Sequence, residues 1–117
     1  SIALQPVQTE PYYELGQIAL DGQHDAEAEP LFRKVLERDP KHGGALTGMG
    51  ILAYRAKDYA KAEDYLARAV ASAPKYQPAH YYYGLTLARV GKKEQAEAEM
   101  KIAVSLQPKH MAPAPMQ

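Results

Sequence analysis

Pro40, Pro74 and Pro108 stand 34 residues apart, and much of the chain keeps the same step. Gly16, Gly50 and Gly84 form a second column, and Ala28, Ala62 and Ala96 a third. Leu15/Met49/Tyr83, Phe32/Leu66/Met100 and Val35/Ala69/Ala103 are apolar columns in the same register. A period of this length marks a repeat architecture, in which each unit buries its apolar face only by stacking on a neighbour. The 117 residues divide into three units, 9–42, 43–76 and 77–110, with an N-terminal extension at 1–8 and a Pro-rich tail at 111–117.

Each unit reads as two helices. The first helices are predicted over 9–22, 43–56 and 77–90, and the second over 25–38, 59–72 and 93–106. Leu46, Met49, Gly50 and Ala53 recur at i, i+3, i+4 and i+7, which places them on one helical face. Ala62, Leu66, Ala69 and Val70 do the same on the following helix. Asp58 is the expected N-cap of that helix, because its carboxylate can accept a bond from an orphan backbone N–H. Asp39-Pro40 and Ala73-Pro74 end the second helices, since a residue before proline is pushed out of the α region. Glu29/Arg33, Asp64/Arg68 and Glu97/Lys101 form i,i+4 acid–base pairs, each contributing about 0.2–0.5 kcal/mol on a solvated face. Pro30 lies inside a second helix and predicts a kink or a late start there. There is no alternating β-branched run, so no strand is expected and the fold class is all-α.

These residues resemble the tetratricopeptide repeat (TPR) family. Its pattern of a large residue, Leu-Gly, Ala, Phe, Ala and Pro is met in unit 1 by Tyr12, Leu15, Gly16, Ala28, Phe32, Val35 and Pro40. Unit 2 offers Leu46, Met49, Gly50, Ala62, Leu66, Ala69 and Pro74. Unit 3 offers His80, Tyr83, Gly84, Ala96, Met100, Ala103 and Pro108. His80, in a place where the family favours a large apolar or aromatic residue, puts the packing of that helix pair in question. The resemblance implies a right-handed superhelical solenoid of three helix-turn-helix units that works as a protein–protein interaction scaffold.

Gly48-Met49-Gly50-Ile51-Leu52-Ala53 fits a dinucleotide-binding fingerprint, G-x-G-x-x-A. That motif needs a preceding strand, and Pro40–Thr47 does not read as one. Gly50 belongs instead to the glycine column. A glycine inside a helix costs about 1 kcal/mol against alanine, so its recurrence implies close packing of the paired helix.

Other chemistry is excluded or unsupported. Lys+Arg and Asp+Glu both count 14, which gives no general pull toward nucleic acid. There is no 18-residue apolar run for membrane insertion. The absence of Cys removes disulfides, thiol catalysis and Cys-ligated zinc, but fixes no compartment. His24, His42, His80 and His110 show no i,i+4 pairing and no H-E-x-x-H motif, and G-x-S-x-G is also missing. His42 and His110 fall in equivalent linkers, where polar turn residues are expected. The expectation is a non-enzyme with no cofactor and no metal.

In TPR proteins the first helices line a concave groove that holds a peptide or a partner helix. Carried over residue by residue, the groove candidates are Tyr13 and Gln17 in unit 1, Ile51, Tyr54 and Arg55 in unit 2, and Tyr81, Leu85 and Arg89 in unit 3. Tyr13, Tyr54 and Tyr81 offer apolar area with a polar tip, and Arg55 and Arg89 offer charge for a partner carboxylate. Some family members clamp a C-terminal carboxylate with Lys and Asn plus further basic residues. Tyr13, Gln17, Pro78 and Tyr82 stand in those places here, so that clamp is absent.

The ends carry a second expectation. Ile102 and Leu106 add two apolar residues at i,i+4 on the last helix, where unit 1 has Lys34 and Arg38 and unit 2 has Arg68 and Ser72. Such a stripe is covered by a fold-back of Met111 and Met116 or by a further segment of a longer chain, or else serves as a homo-oligomer edge. Ile2, Leu4 and Val7 form either an extended cover on the first helix or a mobile lead-in.

Overall fold

A computed structural model describes residues 9–108, and these form six α-helices with no strand among them. They are α1 (Thr9–Asp21), α2 (Asp25–Arg38), α3 (Gly43–Arg55), α4 (Tyr59–Ser72), α5 (Gln77–Arg89) and α6 (Lys93–Leu106). The expectations for Ile2, Leu4, Val7, His110, Met111 and Met116 lie outside the described residues.

The second helices have the bounds read from sequence, and the first helices stop one residue earlier. Their ends are set by a sharp reversal. Gln23, Lys57 and Gly91 occupy equivalent places in the three turns, and all have positive φ, at 61°, 66° and 87°. A left-handed residue stops helix propagation and turns the chain back on itself.

The caps follow the predicted chemistry. The Asp58 carboxylate accepts from the Lys61 backbone N–H at 3.2 Å. His42 caps α3 in the same way, with Nδ1 accepting from the Ala45 N–H at 3.0 Å. Asp39 and Ala73 are the C-caps of α2 and α4, directly before the prolines. The late start expected at Pro30 does not occur, since α2 is continuous from Asp25 through Pro30 to Arg38. Proline removes only the donor to the Ala26 carbonyl, and Ala26 is exposed to water, which can replace it. Of the three i,i+4 pairs, Glu29–Arg33 and Asp64–Arg68 close to salt bridges, whereas Glu97 and Lys101 form none.

The columns of the repeat are the core. Phe32, Leu66, Ala28, Ala62, Val35 and Ala69 are all fully buried. Gly16 and Gly48 flank the Phe32 ring: an added Cβ would sit 2.8 Å and 2.5 Å from its ring carbons. At Gly50 an added Cβ would sit 2.5 Å from Leu66 Cγ. The glycines therefore pay for themselves by letting helix pairs close around one large side chain. His80 is the polar member of this series, and it packs without a defect. It is 5% exposed, with Nδ1 2.6 Å from Glu99 Oε1 and Nε2 2.7 Å from the Pro74 carbonyl oxygen. A buried imidazole with both nitrogens bonded avoids the cost of an orphan polar group.

Curvature follows from which helices touch. Each helix packs on its sequence neighbour, and α1 also meets α3, as α3 meets α5. The second helices make no such contacts with one another. With the first helices close and the second ones splayed, α1, α3 and α5 form the inner, concave layer.

Candidate functional site

The middle of the concave layer holds a hollow of about 180 Å³. Gln17, Leu20 and Asp21 of α1, Thr47, Ile51 and Arg55 of α3, and Tyr76, Pro78 and Tyr82 around α5 line it. Ile51 and Leu20 are 6% and 4% exposed, so they form its floor rather than free contact surface.

The predicted tyrosines do not act as one group. Tyr13 is half-buried at one end of the layer. Its ring packs on His42 at 4.8 Å and Phe32 at 6.1 Å, and its hydroxyl lies 3.3 Å from that of Tyr76. Gly44 gives it room, since a Cβ there would lie 2.5 Å from the Tyr13 oxygen. Burial, then the hydrogen bond and field of Tyr76, raise the Tyr13 phenol above the ordinary value of 10.0. The stability of this neutral phenol is fully present below about pH 10 and is lost as pH rises beyond it. Burial, then the fields of Glu63 and Glu99, also raise the Tyr83 phenol, so absorbance titration of the tyrosinates is expected to show late-titrating tyrosines whose number Tyr13→Phe lowers by one.

Tyr54 and Tyr81 belong to a second group at the opposite end. Tyr54 stands edge-on to Tyr59 at 5.5 Å and to Tyr82 at 6.3 Å, and Tyr82 stands edge-on to Tyr81 at 5.2 Å. Tyr81 is 40% exposed at the rim. Leu85 is half-buried on the same helix.

The two predicted arginines differ in availability. Arg55 reaches back into unit 1, where Nη1 donates to Asp25 Oδ1 at 2.6 Å and to the Leu20 carbonyl at 3.2 Å. It braces two units and already has a carboxylate partner, while its side chain still lines the hollow. Arg89 is its equivalent one unit later, but the place of Asp25 is taken by Tyr59. The Arg89 guanidinium lies 5.7 Å from the Tyr59 ring centroid and 5.8 Å from that of Tyr54, and Nε donates to the Tyr54 hydroxyl at 3.3 Å. No carboxylate among the described residues pairs with it. The hydrogen bond it donates to the Tyr54 hydroxyl, then the fields of Tyr54 and Tyr59, hold its pKa above the usual guanidinium value, so it stays charged.

Sequence reasoning missed Tyr59, Tyr76 and Tyr82. Tyr59 starts a second helix and Tyr76 lies in a linker, so neither stands among the first-helix places that were carried over. The usable signal was the equivalence of Asp25 and Tyr59 beside the Arg55/Arg89 pair. Among the described residues no group of three His, Asp or Glu gathers as a metal site, and no helix is long and apolar enough to cross a membrane.

A family model for the tetratricopeptide repeat matches residues 13–77 and 48–110. The chain belongs to the tetratricopeptide repeat family. This TPR domain is similar in fold to the first TPR of Spaghetti (RPAP3), solved with an HSP90 peptide SRMEEVD. The TM-score is 0.78 at 23% identity, covering 93% of this chain and 86% of that one. The first TPR domain of human RPAP3 aligns at TM-score 0.77 and 24% identity, over 89% of this chain and 82% of that one. MamA (41-end) from Desulfovibrio magneticus RS-1 is 31% identical, with TM-score 0.71, over 86% of this chain and 57% of that one. A search of curated proteins gives no significant match. The TPR fold is thus a protein-interaction scaffold built from three helix pairs.

Proposed function

We propose that the concave face binds an extended segment of a partner protein, centred on Arg89 and the Tyr54–Tyr82–Tyr81 cluster. The observation that carries this reading is Arg89 itself: an exposed cation held over two aromatic rings with no acid beside it. A guanidinium positioned in this way receives a carboxylate, while the adjacent rings receive apolar side chains. The 180 Å³ hollow, which shares Tyr82 with this cluster, takes one small side chain of the same segment. The favoured ligand is therefore an acidic residue flanked by aromatic or aliphatic ones. With Tyr13, Gln17, Pro78 and Tyr82 where a carboxylate clamp would stand, a free C-terminal carboxylate is not the preferred ligand. No catalytic role is proposed.

A phage-displayed library of random dodecapeptides, selected on the intact chain, tests this. Enriched peptides should carry Asp or Glu beside apolar residues. Arg89→Ala and Tyr54→Ala should each weaken them about 5–30-fold, the cost of losing a hot-spot side chain. Peptides that bind both variants as tightly as the parent would remove the reading.

Self-association through the Ile102/Leu106 edge is the second reading, favoured by the 39% exposure of Ile102. On that reading Ile102→Lys/Leu106→Lys lowers the mass measured by light scattering.

A further inference from the structure

The two ends of the solenoid are complementary halves of one more junction. Inside the molecule, Met49 and Leu52 of α3 insert into unit 1, and both are buried, at 4% and 8% exposure. Their equivalents on α1, Leu15 and Ile18, are 52% and 67% exposed. At the other end, Gly84, Ala88, Ala96 and Met100 line an open apolar hollow of about 480 Å³ between α5 and α6. The equivalents of these four residues in unit 1, Gly16, Leu20, Ala28 and Phe32, are buried beneath α3. Val104 borders that end and is 68% exposed, whereas its equivalents Leu36 and Val70 pack against the following unit. One end thus carries the knobs and the other the hole.

The charges match as well. At the first internal junction Arg55 reaches back to Asp25 at 2.6 Å. The equivalent pair across the open ends is Asp21 with Lys93, the same ion pair with its signs exchanged. At the second internal junction Lys92 reaches back to Glu63 at 2.6 Å. Its equivalent across the ends is His24 with Glu97. Helix α1 carries Glu10, Glu14 and Asp21 and no basic residue, whereas the hollow is lined by Lys93 and Lys101 with one acid, Glu97.

From this we infer that the occupant of the hollow is a second copy of the same chain, docked head-to-tail, with Leu15 and Ile18 seated on Gly84, Ala88, Ala96 and Met100. The contact is heterologous, so it continues the solenoid from copy to copy and grows with concentration. It leaves the concave groove open and goes beyond the peptide-binding reading. It also differs from the Ile102/Leu106 edge, because Ile102 lies roughly 160° around α6 from Val104 at 3.6 residues per turn.

Sedimentation of the full chain over a range of concentrations tests the inference. The weight-average mass should rise with concentration. Leu15→Lys/Ile18→Lys blocks the knobs and Ala88→Arg/Val104→Lys blocks the hole; each variant alone should stay monomeric, with association weakened about tenfold or more. These residues are exposed, and circular dichroism checks that each variant remains helical. Mixing the two variants should give a 1:1 dimer that grows no further, because each contributes its one intact end. Asp21→Lys should weaken association, and Lys93→Asp in the same chain should restore it. Ile102→Lys/Leu106→Lys should leave the mass unchanged. A parent that stays monomeric at every concentration overturns the inference, as does a mixture that fails to pair. So does association that requires removal of residues 109–117, because the chain's own tail would then be the occupant. Loss of association in the Ile102/Leu106 variant assigns the contact to that edge and likewise overturns it.

Discussion

Gly50→Leu is expected to abolish the cooperative thermal transition of the domain. A methyl at Gly50 already lies 2.5 Å from Leu66 Cγ, and Leu66 is fully buried. Overpacking of a tight core costs roughly 1–3 kcal/mol for small insertions, and a whole isobutyl group adds three more carbons with nowhere to go. Gly50→Ala separates the terms. Its helix propensity gains about 1 kcal/mol, but the clash with a fixed side chain outweighs that gain, so the midpoint should still fall. Gly84→Ala is the informative partner. Its Cβ would meet Met100 Cγ at 3.1 Å, and Met100 is flexible, half-buried and at the open end. There the Met100 side chain can yield while the Ala96 carbonyl oxygen at 3.3 Å cannot, so the midpoint should fall much less than for Gly50→Ala. Equal loss at Gly50 and Gly84 in differential scanning calorimetry would contradict the packing account.

Truncation at Phe32 gives the second large effect. Phe32 is 0% exposed and lies between Gly16 of α1 and Gly48 of α3, so its ring joins unit 1 internally and also to unit 2. Phe32→Ala should cost about 3–5 kcal/mol, the usual range for emptying an aromatic site in a core. At roughly 4 °C per kcal/mol, the midpoint falls by more than about 12 °C. Because each unit is stabilised by its neighbours, amide protection should drop first in α1 and α2 and last in α5 and α6. A loss spread evenly over all six helices would argue against nearest-neighbour stacking.

The helices were legible because several independent signals agreed. The glycine and alanine columns fixed the register, the prolines fixed the ends of α2 and α4, and Asp58 marked a start. The groove was legible only as a face. That Tyr13 points to Tyr76, and that Tyr82 rather than Tyr81 enters the hollow, depends on where neighbouring helices cross. Periodicity within one helix does not determine that crossing. Arg55 and Arg89 were equivalent in sequence yet differ in use, because the residue each faces, Asp25 or Tyr59, lies one unit back. The exposed Leu15 stood in a core column and so read as buried. Only the absence of a unit packed on α1 among the described residues makes it a surface residue.

The central claim is that partner segments enter the concave layer at Arg89 and its tyrosines. Amide chemical-shift mapping with a selected acidic–apolar peptide tests this most directly. The account predicts shifts concentrated on α3 and α5, around Tyr54, Tyr81, Tyr82 and Arg89, with α2, α4 and α6 quiet apart from Tyr59. Shifts confined to the outer helices, or unchanged by Arg89→Ala, would contradict it.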